Sequence, residues 1–410
     1  MTPDPTDGPA AWRRLAVILA LSTIGSVGMW SVVVALPHVQ AEFGTTRSEA
    51  SLPYMLLMIG YSLGSVTMGR LVDRHGAMRT VLLGTVMLAA GYVAAAFANN
   101  IILFALAHGL LIGLLGASAT FAPLVADASL WFRRRRGIAV ALAASGNYLA
   151  GAIWPTVLDT VIAAHGWRVA HLGVAAFCLM TMLPLALLLR ARPPAAPVVA
   201  KSAAEQRAAD RPLGMSKTAL TITLCVAGLG CCVAMAMPQV HIVAYCGDLG
   251  YGVARGTEML SLMLVCGIAS RVASGFIADR IGGLATLLLS STLQAMTLAL
   301  YLFFDGLASL YVISALFGLV QGGIVPSYAV VVREHFPAKE AGTRVGVVLM
   351  ATMWGMALGG WLSGYIFDLT GSYAMAFLNG VAWNAMNVVI ITTLLIRARG
   401  GRSRPAPAMA

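Results

Sequence analysis

Gly69-Arg-Leu-Val-Asp73-Arg74-His-Gly76 closes one apolar run, and Gly275-Phe-Ile-Ala-Asp279-Arg280-Ile-Gly282 closes another 206 residues later. A second pair, Gly166-Trp-Arg-Val-Ala-His171 and Gly371-Ser-Tyr-Ala-Met-Ala-Phe377, repeats at a spacing of 205. Two independent features at nearly one offset make the chain a duplication. Each feature follows an apolar stretch of about 20 residues, the length an α-helix needs to cross a bilayer.

Composition agrees. The 410 residues are 59% hydrophobic and 10% charged, with a mean hydropathy of +0.83. A soluble domain of this length has too little polar surface left to cover its core at that balance. Apolar runs over 13–36, 52–72, 78–98, 101–126, 137–163, 169–190, 217–244, 257–278, 284–304, 308–332, 344–367 and 373–396 read as twelve spans. Residues 1–190 form an N-terminal half of six spans and 216–400 a C-terminal half. They are joined by a polar, proline-rich linker at 191–215, and a tail follows at 401–410. Met1 to Ala11 carries acids and prolines in place of a signal peptide's positive start, so span 1 reads as retained.

The net charge of +11 follows topology. With both termini on the inner side, 23 of the 27 basic residues fall inside and three (Arg47, Arg168, Arg255) outside. That is the positive-inside pattern of a multi-pass protein of the cytoplasmic, or inner, membrane, and it argues against a nucleic-acid partner. The six cysteines lie within or beside spans without metal-ligand or disulfide spacing, so small apolar packing is their reading.

The remaining cation is Arg271, inside Met259-Leu-Ser-Leu-Met-Leu-Val-Cys-Gly-Ile-Ala-Ser-Arg271-Val-Ala-Ser-Gly-Phe-Ile277. A charge at bilayer depth costs about 3 kcal/mol on insertion scales and persists where it faces a cavity or meets an anion. No acid of its own helix sits within two turns on its face. A bound anionic ligand is the leading explanation; the alternative is a structural arginine paired with backbone carbonyls or with a carboxylate on another helix.

Other polar groups near mid-depth are Asn147, Gln321, Tyr61 and Trp354, each about ten residues, or about 15 Å, from a span end. Gln321 lies in Gly318-Leu-Val-Gln-Gly-Gly323, where small neighbours leave room for a ligand, and Asn147 suits a substrate hydroxyl or carboxylate. Packing competes with function at all four. No nucleophile, paired carboxylate or metal cluster appears at this depth, so neither an enzyme nor a cofactor or metal site is expected.

The Gly-x-x-x-Asp-Arg-x-Gly loops after spans 2 and 8 resemble the signature of the major facilitator superfamily, and the resemblance extends over the whole chain. Trp131-Phe-Arg-Arg-Arg-Arg136-Gly-Ile-Ala-Val-Ala-Leu-Ala-Ala-Ser145-Gly146-Asn147 is similar to the span 4–5 signature of the monocarboxylate transporter family. Glu42-Phe-Gly-Thr-Thr-Arg-Ser-Glu49, Met237-Pro238-Gln-Val-His241 and Asp248-Leu-Gly250 resemble it too. Bacterial lactate-type and oxalate/formate-type carriers share the pattern. The resemblance implies the major facilitator fold, an all-α membrane protein of twelve transmembrane helices in two pseudo-symmetric halves. It also implies a substrate site near the midplane between the halves and alternating access around it.

It implies roles as well. Arg271 stands where monocarboxylate transporters keep a span 8 arginine taken to bind the substrate carboxylate, a match of fork geometry to carboxylate. His241 matches the family's Pro-x-x-His and reads as a titrating gate residue, with a helix-end hydrogen bond as the alternative; His108 is a weaker candidate. Asp73, Arg74, Asp279 and Arg280 read as gating residues, each acid pairing with an arginine or a neighbouring helix N-terminus when the inner side closes. Arg133 to Arg136 read as topogenic and inner-gate residues.

The chain departs from the family at Gly267, where an acid thought to couple protons stands in mammalian-type members. Span 1 lacks the family lysine, and the remaining span acids Asp127, Asp159 and Glu258 lie towards helix ends. Span 11 lacks the second cation of oxalate-type carriers, and one buried cation balances one carboxylate well and two poorly. The expected function is transport of a small monocarboxylate, lactate- or pyruvate-like, with proton symport, by a monomer. A dicarboxylate or aromatic-acid exchanger, an amphiphile efflux carrier and a membrane ligand sensor are the alternatives.

Overall fold

The structure is a computed structural model; it describes residues 7–132, 136–191 and 212–402, and in a few of these, Asp73 among them, the backbone alone. The expected linker falls mostly outside these residues, as do most of the tail and Arg133 to Arg135. Among the described residues the regular structure is helical throughout. Twelve helices are long and apolar enough to cross a membrane: spans 1 to 6 at Pro9–Phe43, Arg47–Val72, Ala77–Ala96, Ile101–Trp131, Ile138–His165 and Trp167–Arg190. Spans 7 to 12 lie at Lys217–Asp248, Val253–Ile281, Gly283–Leu300, Leu307–His335, Gly342–Thr370 and Ala374–Arg399. Twelve crossings return the chain to the side on which it began, here the terminus side; the opposite one is the far side.

The repeat in sequence is a repeat in conformation. Gly76 and Gly282, the last residues of the two Asp-Arg loops, share one conformation, φ 84° and ψ 162° against φ 83° and ψ 163°, whereas Gly166 (φ 82°, ψ 160°) and Gly371 (φ 66°, ψ 10°) share the positive φ alone. A Cβ disfavours positive φ at all four, so the glycine of each motif is what lets one span end and the next begin.

Packing repeats too. A Cβ at Gly60 of span 2 would lie 2.1 Å from the carbonyl oxygen of Gly109 in span 4, and one at Gly64 would lie 2.2 Å from that of Leu114. In the second half, a Cβ at Gly318 of span 10 would lie 2.1 Å from the Met263 oxygen, and one at Gly322 2.1 Å from that of Gly267, both in span 8. Spans 2 and 4, and spans 8 and 10, therefore cross backbone to backbone through small-xxx-small faces.

Three spans are not the single helices the hydropathy suggests. Span 1 divides at Ser26. Span 4 widens to a π-type helix over Ala107–Gly116 and tightens over Ala117–Thr120 before resuming at Ala122. Span 10 breaks at Gly322 and Gly323, between Leu307–Gln321 and Ile324–His335.

Two cations expected at the margins are buried. Arg14 is 7% exposed and forks onto Asp127 of span 4, Nε to Oδ2 at 2.7 Å and Nη2 to Oδ1 at 3.0 Å. It also lies over the Trp131 ring, so the start of span 1 is clamped to the end of span 4. Arg47, expected in an outer loop, is likewise 7% exposed at the start of span 2. In both cases an acid on another helix pays for burial.

The halves meet on the far side. Arg47 Nη2 contacts both carboxylate oxygens of Asp248 at 2.9 Å. Asp368, from the end of span 11, accepts the backbone N–H groups of Arg47 and Ser48, both at 2.7 Å. A carboxylate of one half thus caps a helix N-terminus of the other. Described contacts between the halves continue inward through Thr156 with Ser261 and reach mid-depth at Trp354 with Ser62 and at Arg271 with Ala144. Beyond these, towards the terminus side, Arg74, Asp279 and Arg280 are exposed. The conformation is closed at the far side.

Candidate substrate-binding site

Arg271 reaches across the boundary between the halves. Its Nη1 donates to the carbonyl of Ala144 in span 5 at 2.9 Å, and its Nε donates to the carbonyl of Gly322 in span 10 at 3.3 Å. The Gly322 carbonyl is spare because the residue four positions on is Pro326, which has no N–H to return the helical bond. The guanidinium carbon stands 4.3 Å from the centroid of the Tyr148 ring, a cation–π contact from the first half. Among the described residues no carboxylate pairs with Arg271. Carbonyl dipoles and a ring face solvate the charge without neutralising it.

Of the other expected residues, two abut this centre through their neighbours. Gln321 directly precedes Gly322 and is 1% exposed; its Oε1 accepts from Gln239 Nε2 of span 7 at 2.7 Å, while its own Nε2 is buried without a partner. Asn147 directly precedes Tyr148; its carbonyl accepts from Trp30 Nε1 at 3.2 Å, and its side-chain Oδ1 is buried without a partner. One unused acceptor and one unused donor therefore lie next in sequence to two residues that touch the arginine, Tyr148 and Gly322. The expectation that the glycines around Gln321 leave room for a ligand is corrected: Gly318 and Gly322 are filled by the backbone of span 8.

Tyr61 and Trp354 lie on another seam, between spans 2, 4 and 11. Tyr61 is 5% exposed with its ring 6.4 Å from Phe121. Trp354 is 45% exposed and donates Nε1 to Ser62 at 2.9 Å, across the halves.

His241 is fully buried between two partners of opposite kind. Nε2 lies 2.7 Å from the Gly360 carbonyl, which only accepts, and Nδ1 lies 3.1 Å from the Tyr373 hydroxyl. The neutral imidazole with its proton on Nε2 satisfies both, and the residue ties spans 7 and 11 of the second half together. The expectation was a titrating gate residue or a hydrogen-bonded histidine at a helix end; the structure places it in a packed, hydrogen-bonded seam.

The residues expected to gate are dispersed. Asp73 lies outside the residues whose side chains the structure describes, and Arg74, Asp279 and Arg280 are exposed on the terminus side. The helix N-terminus beside the second Asp-Arg loop is capped instead by Glu334, whose Oε1 accepts the Gly283 N–H at 2.9 Å.

Sequence reasoning missed Tyr148, Gln239 and the Ala144 carbonyl. Tyr148 follows Asn147 between Gly146 and Gly151, which is a signal; a backbone carbonyl leaves none.

A twelve-helix bundle in two matched halves, with a cation where they meet that pairs with no carboxylate among the described residues, is an architecture suited to a carrier. Comparison with known proteins agrees. The sequence profile of the Major Facilitator Superfamily matches residues 18–309 and 259–410, and the chain belongs to that superfamily. Monocarboxylate transporter 13 of Bos taurus is 28% identical over 95% of this chain and 91% of its own. Monocarboxylate transporter 11 of Homo sapiens is 27% identical over 92% and 82%. The Agnestins efflux protein AgnL12 of Paecilomyces divaricatus is 24% identical over 94% and 90%. Among solved structures, an inward-facing, occupied bacterial homolog of the human lysosomal transporter Spinster superposes with a TM-score of 0.73 at 13% identity, covering 98% of this chain and all of that one. The nucleoside transporter NupG superposes at 0.69 and 14% identity, covering 93% and 99%. At those identities the structures speak for the fold.

Proposed function

We propose that the protein carries a small monocarboxylate across the cytoplasmic membrane by alternating access, as a monomer with both termini in the cytoplasm. The observation that carries this reading is Arg271: a permanent cation at mid-depth, on the seam between halves, with no carboxylate partner among the described residues. A substrate carboxylate supplies the missing charge and takes the place of the Ala144 carbonyl, which makes occupancy of the site sensitive to how the halves stand. The unused amide atoms of Asn147 and Gln321 suit the hydroxyl or keto group of a short acid. With a single cation, a second carboxylate would stay unbalanced at low dielectric. Residues 1–190 and 216–400 act as the two rocking units, and the exposed terminus side is the cytoplasmic mouth.

Coupling to protons belongs to the same proposal, drawn from the resemblance to monocarboxylate transporters, with Gly267 excluded as the acid that carries it. Export is a second reading, favoured by the similarity to an efflux protein.

The test is uptake and efflux of labelled lactate, pyruvate, oxalate and benzoate in proteoliposomes, with and without a pH gradient. Saturable movement of lactate or pyruvate, accelerated by an inward proton gradient, is the expected result. Movement of oxalate or benzoate in preference would replace the substrate class, and dependence on acid loaded on the opposite side would replace symport by exchange.

A further inference from the structure

The surroundings of Gly267 give a physical reason for the missing acid. A Cβ built there would lie 2.4 Å from Cε1 and 2.7 Å from Cδ1 of Tyr148, well inside carbon–carbon contact. The same ring lies against the Arg271 guanidinium at 4.3 Å. Tyr148 is 6% exposed and comes from the opposite half. One aromatic ring therefore fills two successive turns of span 8, at the cation and at the position four residues before it.

We propose that Tyr148 is the specificity-determining and positioning partner of Arg271: its ring orients the guanidinium and occupies the volume beside Gly267, leaving a site for one carboxylate on a small body. This rests on Arg271 binding the substrate carboxylate and deepens that reading. A carboxylate pairs with a guanidinium in the guanidinium's plane, so a ring held 4.3 Å from its central carbon limits the directions in which that plane can turn. A larger acid, or the second carboxylate of a diacid, meets the ring on the Gly267 side. Because Tyr148 and Arg271 belong to different halves, the ring stays on the cation only while span 5 and span 8 keep their present approach.

The experiment measures concentration-dependent uptake of lactate, succinate and phenylpyruvate in proteoliposomes by wild type and by Tyr148→Phe, Tyr148→Ala, Gly267→Ala and the double variant Tyr148→Ala/Gly267→Ala. Tyr148→Ala raises KM for lactate about tenfold, the scale of a desolvated cation–π contact, and shifts preference towards phenylpyruvate. Tyr148→Phe, which keeps the ring face, recovers most of the lost affinity. Gly267→Ala alone impairs uptake through collision with the ring, and Tyr148→Ala relieves it in the double variant. Tyr148→Leu, which keeps bulk and removes the ring face, replaces Tyr148→Ala if that variant does not assemble, with the same rise in KM. An unchanged KM and substrate preference in Tyr148→Ala, or an equal cost of Gly267→Ala in both backgrounds, would overturn the inference while leaving the carboxylate reading intact. Failure of wild type to move any carboxylate would sink both.

Discussion

At the scale of single residues, burial of charge is the theme, and it was only partly legible. Arg271 was visible because an apolar run of this length cannot hide a cation cheaply. Arg14 was not, because a basic residue one position from a span's expected start reads as topogenic until its partner, Asp127, is known to sit 113 residues away in sequence. Removing one member of a buried pair leaves the other uncompensated, at a cost of about 3–5 kcal/mol. Arg14→Ala should therefore lower the thermal unfolding temperature in detergent markedly, and the double change Arg14→Leu/Asp127→Leu should cost less than either single change. Equal stability of the single variant and wild type would show that the pair contributes nothing.

At the scale of elements, hydropathy located all twelve spans and misjudged three of them, since a window average does not register a local change of helical pitch. The break in span 10 had its signal in Gly322-Gly323 followed by Pro326; the wide turn in span 4 had none, because it answers the close approach of span 2 at Gly60 and Gly64. Spans 7 and 11 are tied on the terminus side by Glu340, which accepts from Arg344 at 2.8 Å and from Lys217 at 3.2 Å. The Arg344 hydrogen bond, then that of Lys217, holds the Glu340 carboxyl below its ordinary value. A carboxyl lowered in the folded state adds stability above the unfolded value of about 4.3 and loses it as pH falls through the folded one. Unfolding measured from pH 6 downward should then fall less steeply for Glu340→Gln than for wild type. Identical pH profiles would show the tie to be energetically silent, which its partial exposure makes a demanding comparison.

At the scale of the whole molecule, two glycine-bearing motifs at one offset were enough for the architecture: the backbone at Gly76 recurs at Gly282, and positive φ recurs at Gly166 and Gly371. The conformational state was not legible. It depends on Asp368 reaching the N-terminus of span 2 and on Arg47 reaching Asp248, contacts more than 200 residues apart in sequence. Asp248→Asn together with Asp368→Asn should weaken this far-side closure. Spin labels at Asn99 and Asp305, in exposed turns of the two halves, should then show a longer mean separation than in the parent; an unchanged distribution would place the closing energy elsewhere. The site was legible at its anchor and opaque around it: Tyr148 and the Ala144 carbonyl gain meaning only once the halves are brought together, and Gln239 and the Gly322 carbonyl only once the spans of the second half are packed. The central claim is that Arg271 holds a substrate carboxylate. Its most direct test is the initial rate of labelled lactate uptake in proteoliposomes by Arg271→Lys and Arg271→Ala, each first shown to unfold at a temperature close to wild type. The account predicts near-complete loss in Arg271→Ala and a strongly raised KM in Arg271→Lys, whereas wild-type rates and KM in both would contradict it.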